Sequence, residues 1–319
     1  MKAAIVHAFD QPPRYGEIDT PQPRPGEVLV RVRAAALSQL VRAQASGKHY
    51  SSGKTLPLVP GADGVGLLED GTRVYFAFPR APIGAMAEFV AVDARHCVAV
   101  PDDIDDITAA AIANPGMSSW AALQARAGFK PGERVLINGA AGASGRLAIQ
   151  VAKHLGASRI VATARNPAVE EELRALGANT FIGLDQPAEQ LTALLREEIQ
   201  GAGIDIVLDY LWGEPAACIL NALAGYGSGA AAPRLRFVNI GAIAGASLPM
   251  NPGVFRSSGL EMLGSGLGSV STEDLVKVVG HLLEAIKPGN MKVDAVAVPL
   301  NEVEKSREGE STRRVVFVV

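Results

Sequence analysis

Apolar residues run along this chain in two rhythms. From Lys2 to Val100 they come as short β-prone runs: KAAIVHAF, EVLVRVRAAAL, DGVGLLE, TRVYFAF, AMAEFVAV and HCVAV. Pro and Gly punctuate them, as in DQPP, TPQPRPGE, LPLVPGADG and EDGT. Short strands at this spacing predict a partly open barrel or sandwich. Near Asp105 the rhythm changes. The stretch DIDDITAAAIANPGMSSWAALQARAGF is Ala-rich with acidic residues at its start, as a helix N-terminus prefers. From Arg134 onward strands and helices alternate. The strands read as RVLIN, RIVAT, TFI, IDIVLDY, LRFVNI and LEMLG. The helices read as Ala143–Leu155, Ala168–Leu176, Ala188–Gln200, Glu214–Leu223 and Thr272–Ile286. Such alternation predicts βαβ crossovers and a mostly parallel, doubly wound sheet. The last stretch, VDAVAVPLNEVEKSREGESTRRVVFVV, returns to strands around a short polar helix and is expected to rejoin the first domain. The expected fold is α/β: a β-rich domain of residues 1–112 and 293–319, with a doubly wound parallel-sheet domain of residues 113–292 inserted in it.

One turn in the second region carries chemistry. In RVLINGAAGASGRLAIQVAKHLGA a β-branched run enters a cluster of Gly, Ala and Ser, then becomes helical. The dinucleotide fingerprint G-x-G-x-x-G reads here as Ala140-x-Gly142-x-x-Gly145. The first position must be small for a tight turn. The second, Gly142, lets backbone approach a pyrophosphate, and Gly145 lets helix pack closely on strand. The first helical residues, Ala143 and Ser144, offer unpaired N–H groups at the positive end of the helix dipole. No Gly-Lys-Ser/Thr follows, so a P-loop is excluded. About 20 residues beyond the third position, where an acidic residue would bind the ribose of NAD, VATARNP places Arg165, with Thr163 and Asn166 beside it. A guanidinium pairs with a 2′-phosphate that a carboxylate would repel, so the expected cofactor is NADP(H).

Charge and composition narrow the partners. The 319 residues carry 30 basic and 33 acidic side chains, a net charge of -3, so nothing marks a nucleic-acid binder. The two cysteines, Cys97 and Cys218, give no disulfide framework and no zinc spacing, which suits a reducing compartment. The opening run MKAAIVHAF is too short for a secretory leader, and no stretch reaches membrane-spanning length. A cytoplasmic protein without membrane or nucleic-acid partners is expected.

The order of PRPGEVLVRVRAAALS, LPLVPGADGVG, AMAEFVAV, PGMSSWAAL, KPGERVLINGAAGASGRLAIQVAKHLGA and GIDIVLDYLWG resembles the medium-chain dehydrogenase/reductase superfamily. The likeness is greatest to its zinc-independent quinone oxidoreductase branch. The resemblance implies a GroES-like catalytic domain, an inserted Rossmann domain, a cleft between them and NADPH as hydride donor. Zinc-dependent relatives hold their catalytic metal with Cys, His and Cys. The matching positions here are Ser38, Ala62 and Asn114, a set that includes a residue unable to ligate and two poor ligands. No metal is expected, and no metal-bound alkoxide chemistry. The string YSSGK, Tyr50 to Lys54, fits the Tyr-x-x-x-Lys pair of short-chain dehydrogenases. It precedes the nucleotide motif and contains Gly, so that reading is set aside. His49, His96 and His281 form no constellation.

The expected reaction is metal-free hydride transfer to a small electrophilic acceptor, a quinone or α,β-unsaturated carbonyl. Such chemistry needs mainly positioning, exclusion of water and a hydrogen-bond donor to the carbonyl oxygen. By resemblance, Ser118 faces the nicotinamide. Tyr50, Ser38 and Asn114 are the catalytic candidates. Tyr50 is either a phenol donor to the acceptor or an exposed loop side chain. Ser38 stands where quinone reductases often carry an orienting Asn. Asn114 either bonds the substrate oxygen or caps a helix before Pro115, and Asp63 reads as structural. Gly241 in FVNIGAIAG, and Gly264, Ser265 and Gly266 in LGSGLGS, are expected to lie against the cofactor. A metal-free carbonyl or alcohol oxidoreductase and a non-catalytic NADPH-binding sensor or structural protein remain as alternatives. The apolar strand GLEMLGSGLGS is expected at a sheet edge, where Leu260–Leu263 would pair with a second copy in a homodimer.

Overall fold

The computed structural model describes residues 1–9, 11–47, 55–225, 231–305 and 313–319. Contacts divide the chain into Met1–Asn114 with Thr272–Val319, and Pro115–Ser271. The elements run β1 (Lys2–Ile5), β2 (Arg14–Glu17), β3 (Glu27–Ala36), α1 (Gln39–Ala45), β4 (Asp63–Leu67), β5 (Arg73–Ala77), β6 (Phe89–Asp93), β7 (Cys97–Ala99) and α2 (Asp106–Ala121). They continue as β8 (Arg134–Asn138), α3 (Ala143–His154), β9 (Arg159–Ala164), α4 (Glu170–Leu176), β10 (Thr180–Gly183), α5 (Ala188–Arg196), β11 (Ile206–Asp209), α6 (Gly213–Ala222), β12 (Arg234–Asn239), α7 (Gly253–Ser257) and β13 (Gly259–Gly264). The chain closes with α8 (Thr272–Ala285), β14 (Ala295–Pro299) and β15 (Arg314–Val318).

In the first unit β3 is the spine. Its sequence EVLVRVRAAA alternates, burying Val30, Val32 and Ala34 while Arg31 and Arg33 face solvent. Along its length it pairs with β6, then β4, and its last residues pair with β15, so the C-terminal segment does return to this sheet. The sheet order is β14-β15-β3-β4-β5-β7, with β6 added on β3. Val30, Val32, Phe76, Met86, Val90 and Phe317 form the center of its core. Asp63 opens β4 opposite Ala77 of β5. Two elements go unread in the sequence. Strand β2 (RYGE) has almost no apolar signal. Helix α1 is only seven residues long and depends on its cap, Ser38.

The second unit is the expected doubly wound sheet. Its six parallel strands lie in the order β10-β9-β8-β11-β12-β13. Numbered within the unit, that is the 3-2-1-4-5-6 order of dinucleotide-binding sheets. Strand β8 is buried on both faces, with Val135, Leu136 and Ile137 fully enclosed, which is why it reads as a continuous apolar run. Helix ends differ from expectation for local reasons. Asn166 caps a 3-10 turn over Pro167–Val169 before α4 begins. Helix α5 stops at Arg196 and passes into a π-helical segment, Glu197–Gly203. Helix α2 continues through Pro115, whose ring removes one internal hydrogen bond. Helix α8, expected in the second domain, packs on β7 and the short helix Ala94–His96 of the first unit through an apolar face that buries Leu275, Val276, Val279 and Leu282. Strand β13 is the edge strand, as expected.

Candidate cofactor and active site

At the C-terminal ends of β8, β9, β11 and β12 a buried polar chain replaces apolar packing. Thr163 Oγ1 donates to Asn138 Oδ1 at 2.8 Å, and Asn138 Nδ2 donates to Asp209 Oδ1 at 2.8 Å. Asn239 Nδ2 donates to the other Asp209 oxygen at 3.1 Å. The N–H groups of Leu211 and Trp212 complete the set of donors to this carboxylate. Burial pushes the Asp209 carboxyl above its ordinary range, against the lowering effect of those hydrogen bonds. The network fixes four strand ends and the turns that leave them.

The fingerprint turn follows β8. The positive φ that the turn demands, +91°, falls on Gly139, one residue before the expected position. Ala140 is small for another reason. A Cβ on Gly145 would lie 2.5 Å from the Gly139 carbonyl oxygen and 2.6 Å from Ala140 Cα, so helix and turn are already in contact there. Gly142 is different. Its φ of -74° suits any residue, and a Cβ there would meet no atom within 4 Å. Nothing among the described residues requires glycine at 142. An anion approaching the backbone would require it. Gly142 caps α3 without any side-chain bond, and the N–H groups of Gly142, Ala143 and Ser144 have no partner among the described residues. An uncapped start to a twelve-residue helix, beside open space, fits a phosphate.

The flanking residues divide. Arg165 follows β9 directly, is exposed, and has no ion-pair partner among the described residues. Thr163 does not reach outward: its hydroxyl is buried, bonded to Asn138 and accepting the Gly139 N–H at 3.2 Å. Asn166 accepts the Ala168 N–H at 3.0 Å, so its side-chain oxygen is occupied by capping. Gly241 has an internal reason to be glycine, since a Cβ would stand 2.7 Å from the Tyr210 carbonyl oxygen. Gly264 and Gly266 face open space like Gly142. The Gly264 carbonyl accepts from Arg126 at 2.6 Å, and the Ser265 N–H donates to the Asn239 carbonyl, which hold this loop at the end of β13. Ser118 donates to the Pro115 carbonyl at 2.7 Å. Beside it lies the buried Tyr210 hydroxyl, whose pKa burial pushes up to about 12 against the lowering effect of the Ser118 and Ser119 hydroxyls.

Comparison with known proteins decides what this arrangement belongs to. A protein of Emericella nidulans named "Probable NADPH-dependent quinone reductase" is 30% identical over the full length of both chains. The chain is a member of the medium-chain dehydrogenase/reductase superfamily, in its quinone-oxidoreductase-like branch. Within that superfamily, a 2-haloacrylate reductase of a Burkholderia species is 28% identical across 66% of each chain. The quinone oxidoreductase of Thermus thermophilus, solved alone and with NADPH, superposes with a TM-score of 0.80 and 28% identity over 100% of each chain. The family description "Zinc-binding dehydrogenase" matches residues 143–284.

Among the described residues no group of three or more His, Cys, Asp or Glu could hold a metal ion. Ser38, at the first of the positions where zinc-dependent members carry ligands, is buried, and its Oγ accepts the Val41 N–H at 3.1 Å as the cap of α1. That gives the hydroxyl a structural use, as an acceptor at the start of α1, beside the catalytic role expected of it. Ala62 is buried. Asn114 lies inside α2, so it caps no helix; its Nδ2 donates to Asp63 Oδ1 at 3.2 Å. Tyr50 and the YSSGK string lie outside the described residues. The sequence did not single out Asn138, Asp209 or Asn239. Each ends a strand with a polar residue after an apolar run, which is the only signal they leave. Both cysteines are free: Cys218 is buried, and burial pushes the Cys97 thiol up to about 11.

The two fingerprint glycines give opposite expectations. Gly142→Ala should fold with an unchanged melting temperature and bind NADPH at least about tenfold more weakly, because the methyl enters space only a ligand would use. Gly145→Ala should lower the melting temperature, because its methyl meets backbone. Circular dichroism melts and NADPH titration separate the two; normal NADPH binding by folded Gly142→Ala would place the phosphate elsewhere.

Proposed function

We propose that the chain is an NADPH-dependent reductase of quinones and α,β-unsaturated carbonyl compounds that works without metal. The observation that carries the reading is the uncapped N-terminus of α3 at exposed Gly142, with the exposed Arg165 guanidinium at the end of the neighboring strand. A carboxylate is absent from the position that would bind an unphosphorylated ribose. The names of the relatives, a quinone reductase and a 2-haloacrylate reductase, support the acceptor class, since both substrates stabilize an added hydride as a conjugated anion. NADPH, when bound, supplies the hydride. The residues of the chain supply position and electrostatics. The N–H groups of Gly142, Ala143 and Ser144 receive the pyrophosphate, Arg165 pairs with the 2′-phosphate, and the Gly264–Gly266 backbone and Ser118 border the nicotinamide end. Tyr50 is the proposed donor to the acceptor's carbonyl oxygen, and Asn114 the side chain that orients the acceptor.

The reading includes a cytoplasmic homodimer. The edge strand β13 is apolar apart from Glu261, which is already engaged with Arg234 of β12 through two hydrogen bonds of 2.7 and 2.8 Å. Its outer backbone groups are free to extend the sheet into a second copy about a two-fold axis. No helix among the described residues is long and apolar enough to cross a membrane.

NADPH oxidation followed at 340 nm across quinones, enones and simple aldehydes, with chelator present, tests the activity. Turnover of the first two classes is expected; turnover of aldehydes alone would overturn the acceptor assignment. Arg165→Asp should weaken NADPH binding by more than about tenfold and raise the preference for NADH, because a charge-assisted pair becomes a repulsion. An unchanged ratio of the two affinities would refute the role of Arg165. In sedimentation at micromolar concentration the chain should run as a dimer, and a monomer would reject the edge-strand assembly.

A further inference from the structure

The Asp63 cluster in the first unit is unexplained by packing. Asp63 is 2% exposed. Its Oδ2 accepts the Tyr75 hydroxyl of β5 at 3.0 Å, and its Oδ1 accepts Asn114 Nδ2 of α2 at 3.2 Å. Arg314 of β15 acts on it by charge, while the Arg314 Nε and Nη2 are buried with no hydrogen-bond partner among the described residues. A buried carboxylate held by two neutral donors, beside an incompletely paired guanidinium, is a poor way to stabilize a core; apolar residues of similar volume often serve as well or better. One member of the cluster is different from the rest. Asn114 is only partly buried, and its Oδ1 and second N–H have no partner among the described residues.

We propose that Asp63 is a positioning residue: its carboxylate holds the Asn114 side chain by the amide nitrogen, and protonation of the carboxylate releases that hold. The proposal rests on the reading above that Asn114 orients the acceptor. An ionized carboxylate can only accept, so the amide nitrogen must face it. That leaves Asn114 with one orientation, its oxygen and second N–H set toward whatever it binds. A protonated carboxyl can also donate. The amide can then turn over and present its oxygen inward, and the single orientation is lost.

The surroundings place this change in an accessible pH range. The groups facing Asp63 are Tyr75 from β5, Arg314 from β15 and Asn114 from α2. Burial raises the Asp63 pKa to about 6, against the charge of Arg314 and the two hydrogen bonds. The folded chain therefore binds this proton more tightly than the unfolded chain. From this group, stability rises as pH falls from about 6 toward the ordinary carboxylate range near ~4. Loss of activity on this limb is therefore not loss of fold through Asp63.

The test uses the whole chain and two readouts. With asparagine side chains labeled with nitrogen-15, the Asn114 amide signal, assigned by its disappearance in Asn114→Ser, should titrate near pH 6 without any ligand. Turnover of a quinone by NADPH should fall about tenfold per pH unit below the same midpoint. Tyr75→Phe removes a donor to the charged form, so both midpoints should move upward by about one pH unit. Asp63→Asn should abolish the titration of Asn114 and flatten the acid limb. An Asn114 signal that does not titrate, a limb that persists in Asp63→Asn, or midpoints unmoved in Tyr75→Phe would each overturn the proposal. If the wild-type chain turns over no acceptor, the functional reading fails, while the Asn114 titration still decides the role of Asp63.

Discussion

A single carboxylate organizes the working end of the second unit. Asp209 ends β11 in the middle of the parallel sheet, fully buried, and every donor it meets comes from a different piece of the turn region: Asn138 from β8, Asn239 from β12, and the backbone of Leu211 and Trp212 ahead of it. A buried carboxylate left short of donors costs free energy, so each of these groups is constrained by the need to satisfy it. Removing the network would leave the sheet its apolar core and deprive the turns of their common reference point.

The geometry it enforces is otherwise unfavorable. Trp212 sits at φ 58° and ψ -157°, a region that glycine alone enters readily, at a cost on the order of 1–3 kcal/mol. Two features offset that cost. The Trp212 N–H is tied to Asp209, and its ring packs edge-on against Phe237 with centroids 6.3 Å apart, a contact worth about 0.5–1.5 kcal/mol. The next residue, Gly213, also has positive φ and passes so close to the Ala244 carbonyl that a side chain would not fit. Leu211, between Asp209 and Trp212, packs where a Cβ on Gly139 would be, so the β11 turn and the fingerprint turn fit one another as well as sharing hydrogen bonds. Local strain, a buried ion and a glycine turn thus act as one construction.

The sequence was legible wherever period and context agreed. RVLIN followed by a Gly/Ala turn and a helical pattern identifies β8, the fingerprint and α3 nearly to the residue, because a doubly buried strand and an amphipathic helix leave opposite periodicities. The family could be read from segment order, and with it the absence of suitable residues at 38, 62 and 114. Direction of side chains could not be read. Thr163 looked like a cofactor ligand because it precedes Arg165, yet alternation along β9 turns it into the network. Ser38 was placed at a reacting position by alignment and is occupied with capping, a use of serine that depends on a helix too short to show its own pattern. Gly241 was read as making room for a ligand and Ala140 as fitting a tight turn; Gly241 also stands against the Tyr210 carbonyl, and Ala140 lies where the helix meets the turn at Gly145.

The two thiols acquire a meaning from the proposed chemistry. Quinones and conjugated carbonyls are Michael acceptors, and thiolates are the groups they consume. A catalyst that concentrates such compounds at its surface risks covalent modification by its own substrates. Here Cys97 is held as a thiol by a pKa of about 11, and Cys218 is both 3% exposed and raised by burial. Neither offers an appreciable thiolate at neutral pH, so the two side chains most prone to such addition are held in their less reactive form.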